Sequence, residues 1–268
     1  IEMRNLLCFF FFISSILVSC SKDGNDDPAE GEEVKMSISS CYVVKNDNSQ
    51  SENFASPIGL YLLSEDNQPY DNTSYRNSAS LVGGQWKIAV PVYVEKPGKV
   101  YSYYPYRSGD NPEALAVDMA NQVDLLYSKA VANIAPGSSS LSVKLHHALS
   151  QITVTVEGEV VSGISLVSPL TAEFNVCTGL FAQQVTGVVN VNSDNLLIIP
   201  HAPAVNTEMT IRLKNGSSYQ YSLANMDLKP GETYVFKFKL NANRETLEIT
   251  SFSVVDWVIR ENHVDYLR

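Results

Sequence analysis

No run of Lys or Arg occurs anywhere in the chain, and 19 basic residues against 29 acidic ones leave a formal net charge of −10. Phosphate binding needs a basic stripe, so nucleic acid is excluded as a partner. Apolar runs of the roughly 18 residues that a membrane-spanning helix requires are also missing. Cysteine is scarce, at four in 268 residues. None stands in a CxxC pair or beside a His, which argues against metal and nucleophile roles. GxSxG, HExxH, EF-hand and Gly-rich phosphate-loop spacings are absent. No pair of carboxylates or His converges by spacing, so neither a catalytic site nor a cofactor or metal site is expected.

Long periodic Ala/Leu/Glu/Lys stretches are lacking too. In their place stand Val, Thr, Ser, Asn and 14 Tyr. β-Branched and aromatic side chains suit a pleated, half-buried surface. Period-two alternation recurs along the chain, the mark of a strand with one buried face. Val34, Met36, Ile38, Tyr42 and Val44 fall on one face of a first strand. Trp86, Ile88, Val90, Val92 and Val94 alternate after a Gly83-Gly84 turn, with Pro91 marking an edge or bulge. Between Ser108 and Pro136 the pattern loosens, and Asn111-Pro112-Glu113 could open a short helix. Alternation resumes at Leu141, Val143 and Leu145, then at Ile152, Val154 and Val156. Asn215-Gly216 separates Met209–Leu213 from Tyr219–Leu223 as a hairpin turn. Lys229-Pro230-Gly231-Glu232 turns into the aromatic strand Tyr234, Phe236, Phe238 and Leu240.

Many short strands separated by turn signals predict an all-β chain of sandwiches. About 235 residues follow position 33, enough for two sandwiches of roughly 110 to 120 residues each. The Pro136–Ser140 stretch is the clearest compositional break. The expected organisation is a leader at 1–19, an acidic tether at 20–33, and β-sandwich domains at 34–146 and 147–268.

The leader and tether carry the localisation signal. Leu6 to Val18 is almost wholly apolar, too short to span a bilayer but of signal-peptide length. It ends Leu17-Val18-Ser19-Cys20, which resembles a bacterial lipoprotein box. That resemblance implies cleavage before Cys20 and acylation there. Each buried CH₂ of acyl chain contributes about 0.8 kcal/mol to the anchor. Ser21 to Glu33 is acidic and apolar-poor, unable to build a core. An acidic run behind a lipidated Cys resembles the signals that place lipoproteins on the outer face of the outer membrane. Beyond Cys20 only Cys41 and Cys177 remain; one disulfide or two buried free thiols fit, and the free thiols fit better.

Four segments together resemble the fimbrillin family, the pilins of type V pili. They are Tyr103-Tyr104-Pro105-Tyr106, Asp124-Leu125-Leu126-Tyr127, Leu145-His146-His147-Ala148-Leu149-Ser150-Gln151-Ile152 and Leu228 to Phe236, the last followed by Trp257. In this order, behind a lipoprotein box, they cover most of the chain. The resemblance implies two transthyretin-like sandwiches in tandem and export as a lipoprotein. Removal of the first strand would then allow subunits to polymerise by strand complementation. Losing an edge strand exposes unpaired backbone groups and an apolar groove that a strand from the next subunit refills. Here Val34 to Val44 ends directly at Lys45, the candidate processing site. Family members are commonly cut after Arg, and this chain has no Arg between Arg4 and Arg76. It therefore uses a Lys cut or stays lipid-anchored as a base or accessory subunit. Val258 to Arg268 is a candidate donated strand.

The implied partners are other pilin subunits, the outer membrane through Cys20, and a host protein or glycan. The competing reading is a stand-alone surface lipoprotein that binds glycan or protein. Tyr101, Tyr103, Tyr104 and Tyr106 serve either a cross-strand aromatic ladder or glycan stacking, the ladder being favoured. His146 and His147 are adjacent on a strand and face opposite ways, so they cannot share a metal; His201 and His263 stand alone.

Overall fold

The computed structural model describes residues 34–46 and 49–257. They belong to one compact unit, Glu33–Arg268. The strands are β1 (Ser37–Val44), β2 (Gln50–Asn53), β3 (Ile58–Ser64), β4 (Arg76–Val82), β5 (Gln85–Ile88) and β6 (Gly98–Tyr104). Next come β7 (Leu115–Asp118), a 3-10 turn (Met119–Asn121), β8 (Leu126–Tyr127), β9 (Ala132–Ile134) and β10 (Ser140–His147). The chain continues with β11 (Ser150–Val156), β12 (Val161–Asn175), β13 (Leu180–Val191), β14 (Asn195–Ile198) and β15 (Glu208–Leu213). It finishes with β16 (Ser218–Ser222), β17 (Glu232–Leu240) and β18 (Leu247–Asp256).

The fold is all-β, as the alternation predicts. One sheet runs β2-β1-β10-β8-β6-β3-β4-β5, with β9 also on β6. A second runs β14-β11-β17-β18. The third runs β13-β12-β15-β16, with β7 also on β12. Two pairings are parallel, β1 with β10 and β11 with β17. The alternating runs become strands with one buried face: on β17, Tyr234, Phe236 and Phe238 are buried while Lys237 and Lys239 are exposed. β3 is an unbroken apolar run buried on both faces between β4 and β6.

Buried side chains form two clusters. One gathers Met36, Ile38, Leu60, Val100, Val143, Leu145 and their neighbours. The other runs from Ala148 to Trp257 and also takes in Tyr103, Leu115, Met119 and Leu125. The last three belong to the stretch that reads as loop in the sequence. It contains β7, β8, β9 and the 3-10 turn, elements of two to four residues that are too short to show a period. Asn111-Pro112-Glu113 forms a turn closed by Ala114 N–H on the Asn111 carbonyl at 2.9 Å, so no helix opens there. The run from Trp86 breaks as well. β5 ends at Ile88 as the sheet's edge, and Val92 and Val94 are buried beyond Pro91.

The turn chemistry matches expectation. Gly231 has φ +72°, and Glu232 N–H reaches the Lys229 carbonyl at 3.4 Å, as a Pro-Gly type II turn requires. The hairpin of β12 and β13 is not signalled in the sequence. The buried positions of β12 between Leu166 and Ala172 are Ser168 and Pro169, a polar residue and a proline in succession, which hides the period.

Candidate assembly interface

β1 is the element that the resemblance marks for removal, and it lies inside its sheet rather than at the rim. One edge pairs in parallel with β10, from Ser37 opposite Ser140 to Val43 opposite Leu145. The other edge pairs with short β2, Tyr42 opposite Asn53 and Val44 opposite Gln50. Ahead of β1, Met36 N–H donates to the Val92 carbonyl at 2.8 Å, and Val94 N–H to the Val34 carbonyl at 2.9 Å.

The facing of this strand differs from simple alternation. The register slips between Ile38 and Ser40, where a bulge inserts one residue and resets the period. Met36 and Ile38 point into the core as expected. Beyond the bulge Cys41 and Val43 take the inward places, Tyr42 turns outward and is half-buried, and Val44 is buried on the opposite face. Val34 is exposed. Two serines anchor the bulge: Ser39 Oγ donates to the Leu141 carbonyl at 2.9 Å, and Ser40 Oγ bonds Ser142 Oγ at 2.8 Å.

Lys45 follows in a turn, half-buried, its N–H on the Ser49 carbonyl at 2.9 Å. Asn46 then reaches across to the other end of the sequence. Its Nδ2 lies 3.3 Å from the Gly231 carbonyl and 3.2 Å from Asp256 Oδ1. Trp257 N–H donates to the same Gly231 carbonyl at 2.8 Å. The Trp257 ring stacks on His147, whose Nδ1 lies 2.8 Å from Asp124 Oδ2. Asp124 Oδ1 and His147 Nε2 are buried with no hydrogen-bond partner among the described residues.

The remaining candidates fall as follows. Cys20, His263 and Val258–Arg268 lie outside the described residues. Cys41 and Cys177 are free thiols, and burial pushes Cys41 up to about 12 and Cys177 up to about 11. Tyr101 stands opposite Tyr61, and Tyr103 opposite Tyr127, a cross-strand aromatic arrangement. Tyr103 is buried, and Tyr101, Tyr104 and Tyr106 are half-buried. Among the described residues no group of three or more His, Cys, Asp or Glu could hold a metal ion.

The profile described as fimbrillin-like matches residues 43–257. The chain belongs to the fimbrillin-like family. No curated protein matches it by sequence. Solved structures share its fold. A protein from Bacteroides uniformis carrying a cell-adhesion assignment superposes with TM-score 0.65 at 17% identity, covering 84% of this chain and 98% of that one. A similarly assigned protein from Bacteroides ovatus gives TM-score 0.62 at 15% identity, with 85% and 99% covered. A fimbrial protein from Bacteroides vulgatus gives 0.50 at 12% identity, with 83% and 99% covered.

In this fimbrillin-like chain the contacts around Asn46, Asp124, His147 and Trp257 have no signature in the sequence. Asn46 is one polar residue in a polar stretch, and Asp124 is separated from His147 by 23 positions. Of these, Asp124 and His147 fall within segments that resemble the family, and Trp257 follows one.

Proposed function

We propose that the chain is a structural or accessory subunit of a cell-surface pilus, delivered to the outer membrane by lipid on Cys20 and assembled by strand complementation. Family membership supports the pilus role. The observation that carries the assembly step is the position of β1, bonded along one edge to β10 and along the other to a four-residue strand. Releasing β1 after Lys45 would strip β10 of its parallel partner. It would also empty the places of Met36, Ile38, Cys41 and Val43 in the core. Each large apolar side chain contributes about 1.5–3 kcal/mol when buried, so the vacated groove attracts another strand of the same pattern. The incoming strand would come from a neighbouring subunit, and the finished pilus would contact a host protein or glycan.

Limited trypsin treatment of the lipid-free precursor tests this. Mass spectrometry locates the cut and gel filtration follows the size. Cleavage at Lys45 with growing oligomers is the expected result, and Lys45→Gln should abolish both. A precursor that resists cleavage and stays monomeric would sink the Lys45 step and favour an anchor or a stand-alone binder.

A further inference from the structure

β13 is an edge strand, and its outer side makes no backbone pairing among the described residues. Free edges are aggregation hazards, which natural proteins guard with shortness, charge, proline or bulges. The other edges here are guarded. β2 and β5 have four residues each, and β5 carries Lys87. β14 has four residues and β16 five, and β18 carries Glu248 and Asp256 near its ends and a bulge at Thr250. β13 has 12 residues with no charged side chain and no proline. Its one irregularity is near Gln183, with φ +50°, across from the register shifts of β12 between Pro169 and Glu173. Past that point Thr186–Val191 pairs with β12 in unbroken register, a regular edge of about 20 Å. Exposed aliphatic side chains accompany it: Val185 at 59% and Val188 at 61%, with Val167 at 55% directly opposite Val188 on β12.

We propose that this edge pairs antiparallel with the same edge of a second copy of the chain, continuing the β13-β12-β15-β16 sheet across a two-fold axis. Unpaired backbone groups on an edge call for an extended strand. Charge selects which strand. Two copies, each at −10, repel over most of their surfaces. Along Thr186–Val191 every residue is uncharged, and the charge brought to this stretch is that of Arg212 on β15, whose Nη2 donates to Asn190 Oδ1 at 2.6 Å and to the Val191 carbonyl at 2.8 Å. In a register centred on Val188, Asn190 faces Thr186 of the second copy, so no like charges oppose one another. The nearest carboxylate on β12 is Glu173, opposite Ala182 on the far side of the irregularity. A basic partner strand finds no carboxylate on β13 to read, and the Arg212 charge at its end is already taken up by Asn190 Oδ1 and the Val191 carbonyl. A two-fold pairing closes on itself and consumes both edges at once, which removes the hazard instead of propagating it. Centred on Val188, the pairing would place Val167 and Val188 of both copies in one exposed-face stripe.

This pairing needs neither cleavage nor a donated strand, so uncleaved protein tests it separately from pilus assembly. Sedimentation velocity on residues 33–268 between about 1 and 100 µM covers the range of modest interfaces. The wild-type chain should move to a dimer. Val188→Glu and Thr186→Lys should hold it monomeric with unchanged urea midpoints. Val205→Glu, at an exposed position in the connection between β14 and β15, should leave the dimer intact. A wild-type monomer throughout, a dimer that survives both edge variants, or open-ended aggregates would each overturn the proposal.

Discussion

The indole of Trp257 lies flat on the imidazole of His147, with ring centroids 4.0 Å apart and planes 7° from parallel. The stack ties the end of β18 to the end of β10. Asp124 fixes the His147 ring from one side, and the Gly231 carbonyl fixes the Trp257 backbone. Trp257→Ala should cost about 3–5 kcal/mol, the range for deleting a buried large aromatic. The urea midpoint reads this directly. A shift below the usual scatter of surface substitutions would mean that the stack contributes no stability.

Gly59 faces Tyr103 across β3 and β6. A Cβ built on Gly59 would stand 2.2 Å from that phenol ring. Gly59→Ala should therefore lose at least about 1–3 kcal/mol through overpacking. Adding Tyr103→Leu should recover part of the loss in a double-mutant cycle. Simple additivity of the two changes would refute the steric account.

His146 is buried, and desolvation with Lys129, His147 and Lys144 nearby lowers its pKa to about 4 from an ordinary 6.5. In the unfolded chain it takes up a proton near pH 6.5, whereas in the folded chain it does so only near pH 4. Its contribution is complete above pH 6.5 and is lost as pH falls toward 4. The slope reaches at most about 1.4 kcal/mol per pH unit for this one proton. Burial of His201 acts in the same direction. Urea midpoints at pH 7 and pH 5 should diverge in the wild type and diverge less in His146→Asn, where the His201 contribution remains. Equal divergence in both proteins would remove His146 as the cause.

Asn46 fastens the residue after Lys45 to Gly231 and Asp256. A protease needs that stretch of chain extended, so the turn must open before it can be cut. Asn46→Ala should lower global stability by only about 0.5–1.5 kcal/mol yet speed trypsin cleavage at Lys45. Cleavage kinetics at limiting protease measure this. An unchanged rate would show that the clip does not govern access.

The strands with clean alternation, such as β10, β15 and β17, were legible because one residue in two is buried. β1 was legible as a strand but not in its facing. A bulge at two adjacent serines reverses every side chain after it, and Ser39 and Ser40 do not announce which of them is extra. β12 and β13 escaped notice because Pro169 and Ser168 interrupt the apolar period, and because outward valines at 167, 185 and 188 blur it. The candidate interface was legible only where it is continuous in sequence. Lys45 could be found from the end of an apolar run, whereas the Asn46–Gly231 contact spans 185 positions.

The parallel pairing of β1 with β10 has a kinetic consequence. Ser39 and Leu141, hydrogen-bonded in the sheet, lie 102 positions apart in the chain. Closing so large a loop is entropically slow, whereas β3, β4 and β5 meet their neighbours through short connections. Topology thus predicts that β1 docks late, after β10 already exists as a template. In pulse-labelled refolding, the amides of β1 and of its facing edge on β10 should gain protection after those of β3 and β4. If they protect together, the order is wrong. A strand that arrives last is also one whose place the rest of the sheet can outline before it is filled.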